Sequence, residues 1–384
     1  MLRELRARLQ PPRTQIVNLS EALGRVLAED IPADRDYPPF DRATRDGFAL
    51  RAADLPGTVR VVGEVRAGSG FVGTTGPGEA VEIMTGAPVP NGPDVVVMVE
   101  HCRRNEDGTV STEQTLTSGA NIAPRGCEAR AGQILASKGH RIDFATVSLL
   151  ATTGHATVSV YEKPRVAILP TGDEIVGVEE TPGPNQIRNS NAWSLAAQVE
   201  RAGGIPVMLP VAPDTLAETK ALVEQGLQAD LLLLTGGVSA GKYDVVEPAL
   251  AELDAEFFFD RVRIQPGQPL VFGRARETFF FGLPGNPGST MVTFELFARA
   301  ALELLGGATD APLPMTLAKL SKPFRHKPGL TRFLPATLSC LEITPVDWQG
   351  SGDVPALSRA NAFLVADADR AEYQAGDLIT VLLK

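Results

Sequence analysis

The chain has 384 residues, of which 43% are hydrophobic and 21% charged, with a formal net charge of −10. At roughly 100–200 residues per domain, this length predicts about two to four domains. The acidic balance, with no basic run beyond LRELRAR near the start, argues against a nucleic-acid binder, and no apolar run approaches the ~18–20 residues that span a bilayer. Residues 1–27 read as a helix broken by Pro11 and Pro12 and then resumed. Ser20 is placed to cap EALGRVLAED, with Leu19, Leu23, Val26 and Leu27 on one stripe. From Arg60 to about Val160 the pattern is β-rich, with VRVVGEV, EAVEIMTG, DVVVMVEH and ATVSVYEKP separated by turn residues.

The pattern changes at Lys163-Pro164. RVAILP reads as a strand, NAWSLAAQVERAGG as a helix capped by Asn189 or Ser190, and IPVMLPV as a strand. Asp214 is read as the cap of TLAETKALVEQGLQ; ADLLLLT and TFFFGL are strands, and STMVTFELFARAALELLGG is a helix with Ser289 at its start. Strands alternating with helices imply a parallel sheet covered on both faces. After Pro312 short β-like runs return and predict a small barrel or sandwich. Cys102, Cys127 and Cys340 form no CxxC pair, so they read as free, buried thiols in a reducing cytosol. There is no apolar signal region at the N-terminus. Together these features predict a soluble cytoplasmic protein.

Ligands of open parallel sheets bind beyond the carboxyl ends of the strands. Three such ends carry unusual residues: Thr171-Gly172-Asp173-Glu174, Gly236 to Asp244, and Pro284-Gly285-Asn286-Pro287-Gly288-Ser289. Glycines let backbone N–H groups face an anion, and a helix N-terminus adds about half a positive charge. Gly236, Gly237, Ser239 and Gly241 with Pro284, Gly285, Asn286 and Ser289 are therefore candidate ligand contacts. Gly236 to Lys242 matches the start of a phosphate loop, but Tyr243 stands where that motif needs Ser or Thr on Mg²⁺. Asp173, Glu174, Asp214 and Asp244 make sense at an anion site if they hold Mg²⁺ that bridges to phosphate oxygens. Asp46 and Thr85 sit in a second pair of small polar turns. His101, His140, His155 and His326 are scattered without ligand spacing.

PPFDRATRDGFA, IMTGAPVPNGPDVVVMVE, PRVAILPTGDEI, the SN before a helix, TGGVSAGKYD, PGQPLVFG and LPGNPGS occur in this order. The set resembles the molybdopterin molybdenumtransferase family, which includes bacterial MoeA and the gephyrin E domain, and the resemblance covers nearly the whole chain. It implies an elongated homodimer of multidomain α/β plus β class. The three-layer α/β molybdopterin-binding domain, with a parallel-rich sheet, falls at 164–307. It is preceded by an N-terminal region at 1–163, comprising a connecting domain and a β-rich domain about 46–135. A C-terminal β-barrel follows at 312–384. The implied reaction inserts molybdate into adenylylated molybdopterin and releases AMP, with Mg²⁺ required. Molybdopterin adenylyltransferase and molybdoenzymes are further implied partners.

By motif, the family's functional positions fall on Asp46, Thr85, Glu174, Asp214, Asp244 and Ser289. The implied metal ligands are Asp244 and Glu174, and the implied site is shared between two subunits. Arg261 keeps the first charge of the family's K-x-x-x-K-P-G-K-P segment, whereas Gln265 and Gln268 lose the next two. Pro335 takes the place of a barrel Arg. Arg42, Arg45 and Arg263 are candidate replacements for the lost cations. Two readings stay open at this point: an active insertase, or a paralogue of the same fold that binds a pterin or scaffolds.

Overall fold

The structure, a computed structural model, describes residues 1–237 and 245–384. Helix α1 (Leu2–Arg8) ends before the Pro11-Pro12 pair. The predicted resumption of the helix over residues 21–30 does not occur. Thr14–Asn18 instead pairs antiparallel with Thr157–Tyr161. The Gly24, Leu27 and Ala28 N–H groups donate to the carbonyls of Ile142, His140 and Ser159. Val26 and Leu27 are buried as expected, but long-range pairing buries them; helix propensity is a weak prior that tertiary context overrides.

The β-rich unit is a six-stranded sheet. It includes β1 (Gly47–Leu50), β2 (Gly57–Val65), β3 (Glu79–Ile83) and, at one edge, β4 (Val95–Met98). β1 lies between β3 and β4 and is antiparallel to both. Its two faces bury separate clusters, one around Ala49, Val81 and Ile83 and one around Phe48, Val95 and Val97. A helix absent from the sequence expectation, α2 (Phe144–Thr152), follows; the Asp143 carboxylate caps it by accepting the Thr146 N–H.

The α/β unit contains β5 (Arg165–Pro170), α3 (Asn191–Arg201), β6 (Ile205–Met208), α4 (Leu216–Gly226), β7 (Leu231–Thr235) and α5 (Val246–Ala251). It continues with β8 (Glu256–Arg261), β9 (Pro269–Ala275), β10 (Thr278–Leu283) and α6 (Pro287–Thr293). The strand order is β6-β5-β7-β10-β9-β8. The first four strands are parallel, and β9 and β8 add antiparallel pairs at one edge. Alternate residues of the buried strands serve opposite faces. Ile168, Leu233 and Phe281 pack under α3 and the helical segment 294–305, joined by Leu5 of α1, whereas Leu169, Leu234 and Phe280 pack with Val223 of α4 and Leu250 of α5. A π-helical turn at Phe294–Ala298 carries α6 into α7 (Arg299–Leu305).

The C-terminal unit is a closed five-stranded barrel of β11 (Met315–Leu320), β12 (Thr331–Ser339), β13 (Glu342–Pro345), β14 (Ala362–Ala366) and β15 (Leu378–Leu383). The β12–β14 pairing closes it, and α8 (Val354–Arg359) packs outside. The three thiols are free, but burial was expected and Cys127 and Cys340 are exposed because both lie in surface turns. No helix among the described residues is long and apolar enough to cross a membrane.

Candidate functional site

β5, β7 and β10 run side by side, so their carboxyl ends meet at one rim. Thr171 donates its N–H to Thr235 O at 3.0 Å, and Gly236 donates to Leu283 O at 3.3 Å. Asn191, at the start of α3, clamps two of the loops: its Nδ2 donates to Thr235 Oγ1 at 3.0 Å and to Gly285 O at 2.7 Å. Gly236 has φ +93, and a Cβ there would stand 2.7 Å from Thr171 O. The backbone therefore passes where only glycine fits. Gly237 and Gly285 line the same edge. Ser239, Gly241 and Asp244 lie outside the described residues.

Pro284 O accepts the Thr290 hydroxyl at 2.6 Å, and Asn286 is the cap residue of α6. Ser289, one turn in, is 5% exposed. At the start of α6, Pro287 has no N–H to offer and Gly288 donates to Ser351 O of the barrel unit at 2.7 Å. The barrel therefore takes up one N–H of the 284–289 loop, at a residue that is not among the candidate ligand contacts.

Carboxylates gather beside this rim. Asp214 does not cap α4 as the sequence suggests; the cap residue is Thr215, whose hydroxyl meets Glu218 at 2.6 Å. Asp214 instead faces back to the TGDE loop, where its N–H donates to Asp173 Oδ1 at 3.0 Å. Desolvation, then the charges of Asp173 and Glu174, hold its carboxyl above the ordinary carboxylate range. Among the described residues no ion pair relieves Asp173, Glu174 or Asp214. The described residues contain no group of three or more His, Cys, Asp or Glu arranged to hold a metal.

A carboxyl whose folded pKa is raised costs stability when ionised, and the cost fades as pH falls through that pKa. Asp214 is exposed, so solvent screens much of that cost, and Asp214→Asn is expected to raise Tm at pH 8 by no more than about 1 °C. The gain should vanish near pH 3, and thermal melts across pH check it. Asn191→Ala removes both bonds of the clamp, and about 1–3 kcal/mol of stability should go with them. Hydrogen exchange should then quicken at Gly236 and Gly285; unchanged protection would contradict the clamp.

Asp46 and Thr85 meet at one end of the β-rich sheet. Asp46 Oδ1 accepts the Thr85 N–H at 2.6 Å, and the Thr85 N–H and hydroxyl hold the Asp46 carboxyl below its usual range. Gly86 donates to Ala43 O at 2.9 Å, tying the two turns together. Among the described residues no hydrogen bond or ion pair joins this pair to the glycine rim.

Two of the four candidate cations have partners. Arg42 pairs with Glu128 at 2.8 Å, and Arg263 donates to Gly329 O at 3.4 Å. Arg45 and Arg261 are exposed. Gln265 lies opposite Arg332 in a parallel pair, and Gln268 O accepts the Val262 N–H. Pro335 is buried against the α/β side of the barrel, opposite Phe363. Sequence reasoning missed the Asn191 clamp, because the SN pair reads equally well as a helix cap.

Residues 1–154 match the family model described as the MoeA N-terminal region (domain I and II). Residues 167–304 match the probable molybdopterin binding domain, and 317–384 the MoeA C-terminal region (domain IV). The molybdopterin molybdenumtransferase of Bacillus subtilis is 37% identical, over 96% of this chain and 90% of the relative. That of Staphylococcus epidermidis is 34% identical, with the same shares covered. Among solved structures, the molybdopterin biosynthesis moeA protein of Pyrococcus horikoshii OT3 superposes with a TM-score of 0.83 at 29% identity, covering 99% of this chain and 97% of that one.

Proposed function

The chain belongs to the MoeA family of molybdopterin molybdenumtransferases and acts in molybdenum cofactor biosynthesis, and from that premise we propose that it inserts molybdate into adenylylated molybdopterin with release of AMP. The observation that carries this reading is the rim itself: strand-end loops clamped by Asn191, glycine at the point of closest approach, and unpaired carboxylates alongside. Relatives matched along nearly the full length carry the transferase name, which favours an insertase over a same-fold binding protein.

In this reading the rim holds the phosphates by backbone N–H groups, and Asn191 keeps the loops in register. Glu174 and Asp244 would hold Mg²⁺; among the described residues Asp173, Glu174 and Asp214 repel one another and have no ion-pair partner, which suits a divalent ion with oxygen ligands. When bound, the ion stabilises charge on the phosphoanhydride as it breaks. Asp46, kept ionised by Thr85, faces the rim of a second subunit in a cytoplasmic homodimer. Its carboxylate and the Thr85 hydroxyl orient the substrate there. A molybdopterin adenylyltransferase supplies that substrate.

The test is AMP release by the purified protein with adenylylated molybdopterin, molybdate and Mg²⁺. Turnover that requires all three supports the reading. Substrate binding without release, followed by release from Gln265→Lys with Gln268→Lys, would mean that the missing lysines matter and that the native site is inactive.

A further inference from the structure

A cavity of about 340 Å³ opens between α3, α6 with its π-helical extension, and the α8 side of the barrel unit. That volume is within the range of small-molecule sites. Its floor is apolar, because Met291, Leu357 and Phe363 belong to the cluster that joins α6 to the barrel. Ala197 and Arg201, four residues apart on α3, line it from one helix face. Lys384 lines the barrel side.

Most polar groups of the lining have no donor left for a ligand. The Ser194 hydroxyl donates to Asn191 O at 3.0 Å, and the Ser358 hydroxyl to Pro355 O at 2.9 Å. Gln198 Nε2 donates to Met291 O at 3.2 Å and to Glu295 Oε1 at 2.6 Å. The side-chain donors still open belong to the two cations. Arg201 carries five N–H groups, and its one partner among the described residues is Glu295; its side chain is 48% exposed. Lys384 Nζ has three and gives two, to Leu357 O at 2.6 Å and Ala360 O at 3.1 Å.

The charges of the lining do not balance. Glu295 is its one acid, is 1% exposed, and is shared between Arg201 and Arg299. No carboxylate among the described residues pairs with Lys384. Partial burial of the ammonium, then the Arg201 charge, push the Lys384 pKa down. Two cations and one carboxylate leave a single positive charge, which a monoanion neutralises and a dianion overshoots.

We propose that this cavity binds an amphipathic monocarboxylate, its head accepting from Arg201 and Lys384 and its apolar tail lying on Met291, Leu357 and Phe363. The planar guanidinium fork matches a carboxylate, and the apolar floor rewards a hydrocarbon body. None of the lining residues belongs to the glycine rim, so this inference stands independently of the proposed reaction.

The test is calorimetry on the full chain with octanoate, below micelle-forming concentrations, against octanol, acetate and octylamine. Octanoate should bind at least about 10-fold more tightly than each of the three. Octanol lacks the charge, acetate lacks the tail, and octylamine repels both cations. Arg201→Gln and Lys384→Gln should each weaken octanoate binding about 10-fold and leave octanol binding unchanged, a pattern that general loss of structure would not give. Ala197→Trp, at an exposed position of the cavity lining, should abolish octanoate binding while the circular dichroism stays unchanged. Should Arg201→Gln fail to fold, Lys384→Gln and Ala197→Trp decide. No binding of octanoate, octanol binding as tight as octanoate, or octanoate binding that survives Ala197→Trp would overturn the proposal.

Discussion

Asp46→Ala is expected to lower AMP release at least about 100-fold while leaving the fold intact. The side chain is exposed, and its partners are the N–H and hydroxyl of the single residue Thr85, so solvent can replace them. The informative version mixes chains. Asp46→Ala damages the β-rich side of a shared site, and Gly236→Val damages the rim side. Each variant alone should be inactive. In a two-fold dimer of mixed chains, one site inherits both defects and the other inherits neither. Equal mixing after dissociation should therefore restore about one quarter of native turnover. A chain carrying both substitutions, mixed with itself, should restore none. No recovery in the mixture, with mixed dimers demonstrated by mass spectrometry, would show that the site is completed within one chain. The Asp46 carboxyl has a lowered pKa, so its stabilising bond holds above the ordinary carboxylate range. The bond is lost as pH falls through the folded value.

Gly47→Ala should be the most damaging single methyl in the β-rich unit. A Cβ there would lie 1.9 Å from Val97 O and 2.8 Å from Val97 C. Both are backbone atoms of the neighbouring strand, and no rotamer change relieves the overlap. Overpacking in a core costs typically about 1–3 kcal/mol, more where nothing can shift. Gly47 is also paired on both sides, with Ile83 and Met98, so separating one strand breaks the sheet. The α/β unit has its own core. Limited proteolysis should therefore release a resistant fragment containing residues 165–384, while the 47–112 region is digested. A variant as resistant as the native chain would show that the sheet can open at Gly47.

The buried strands of the α/β unit were legible because RVAILP and LLLLT are apolar throughout, as strands covered on both faces must be. The rim glycines were legible for a similar reason, since their positions follow strand ends. Other elements were hidden by physics that one segment does not contain. EALGRVLAED has helical spacing, yet its N–H groups find partners more than 100 residues away. FATVSLLAT looks β-like because Thr146 and Val147 are β-branched, yet Asp143 caps it as a helix. β8 and β9 carry no helix between them, so the βα rhythm gave no sign of the antiparallel edge. Asp214 precedes a helix, as a cap would, but its partner is the loop after β5. The Asn191 clamp depends on three strands arriving together, and no local pattern encodes that.

Helix α1 has its own lesson for how this protein comes off the ribosome. Leu5 is fully buried in a cluster with residues of the π-helical turn and α7, and Arg6 donates to Thr309 O, 303 residues away. At about 5–20 residues per second, the wait between making the two is roughly 15–60 s. Throughout that interval an apolar helix face has no seat, while the β-rich unit after it can already close. Nascent chains stalled before residue 290 should accordingly recruit holdase chaperones through their first nine residues, and Leu5→Glu should weaken that capture.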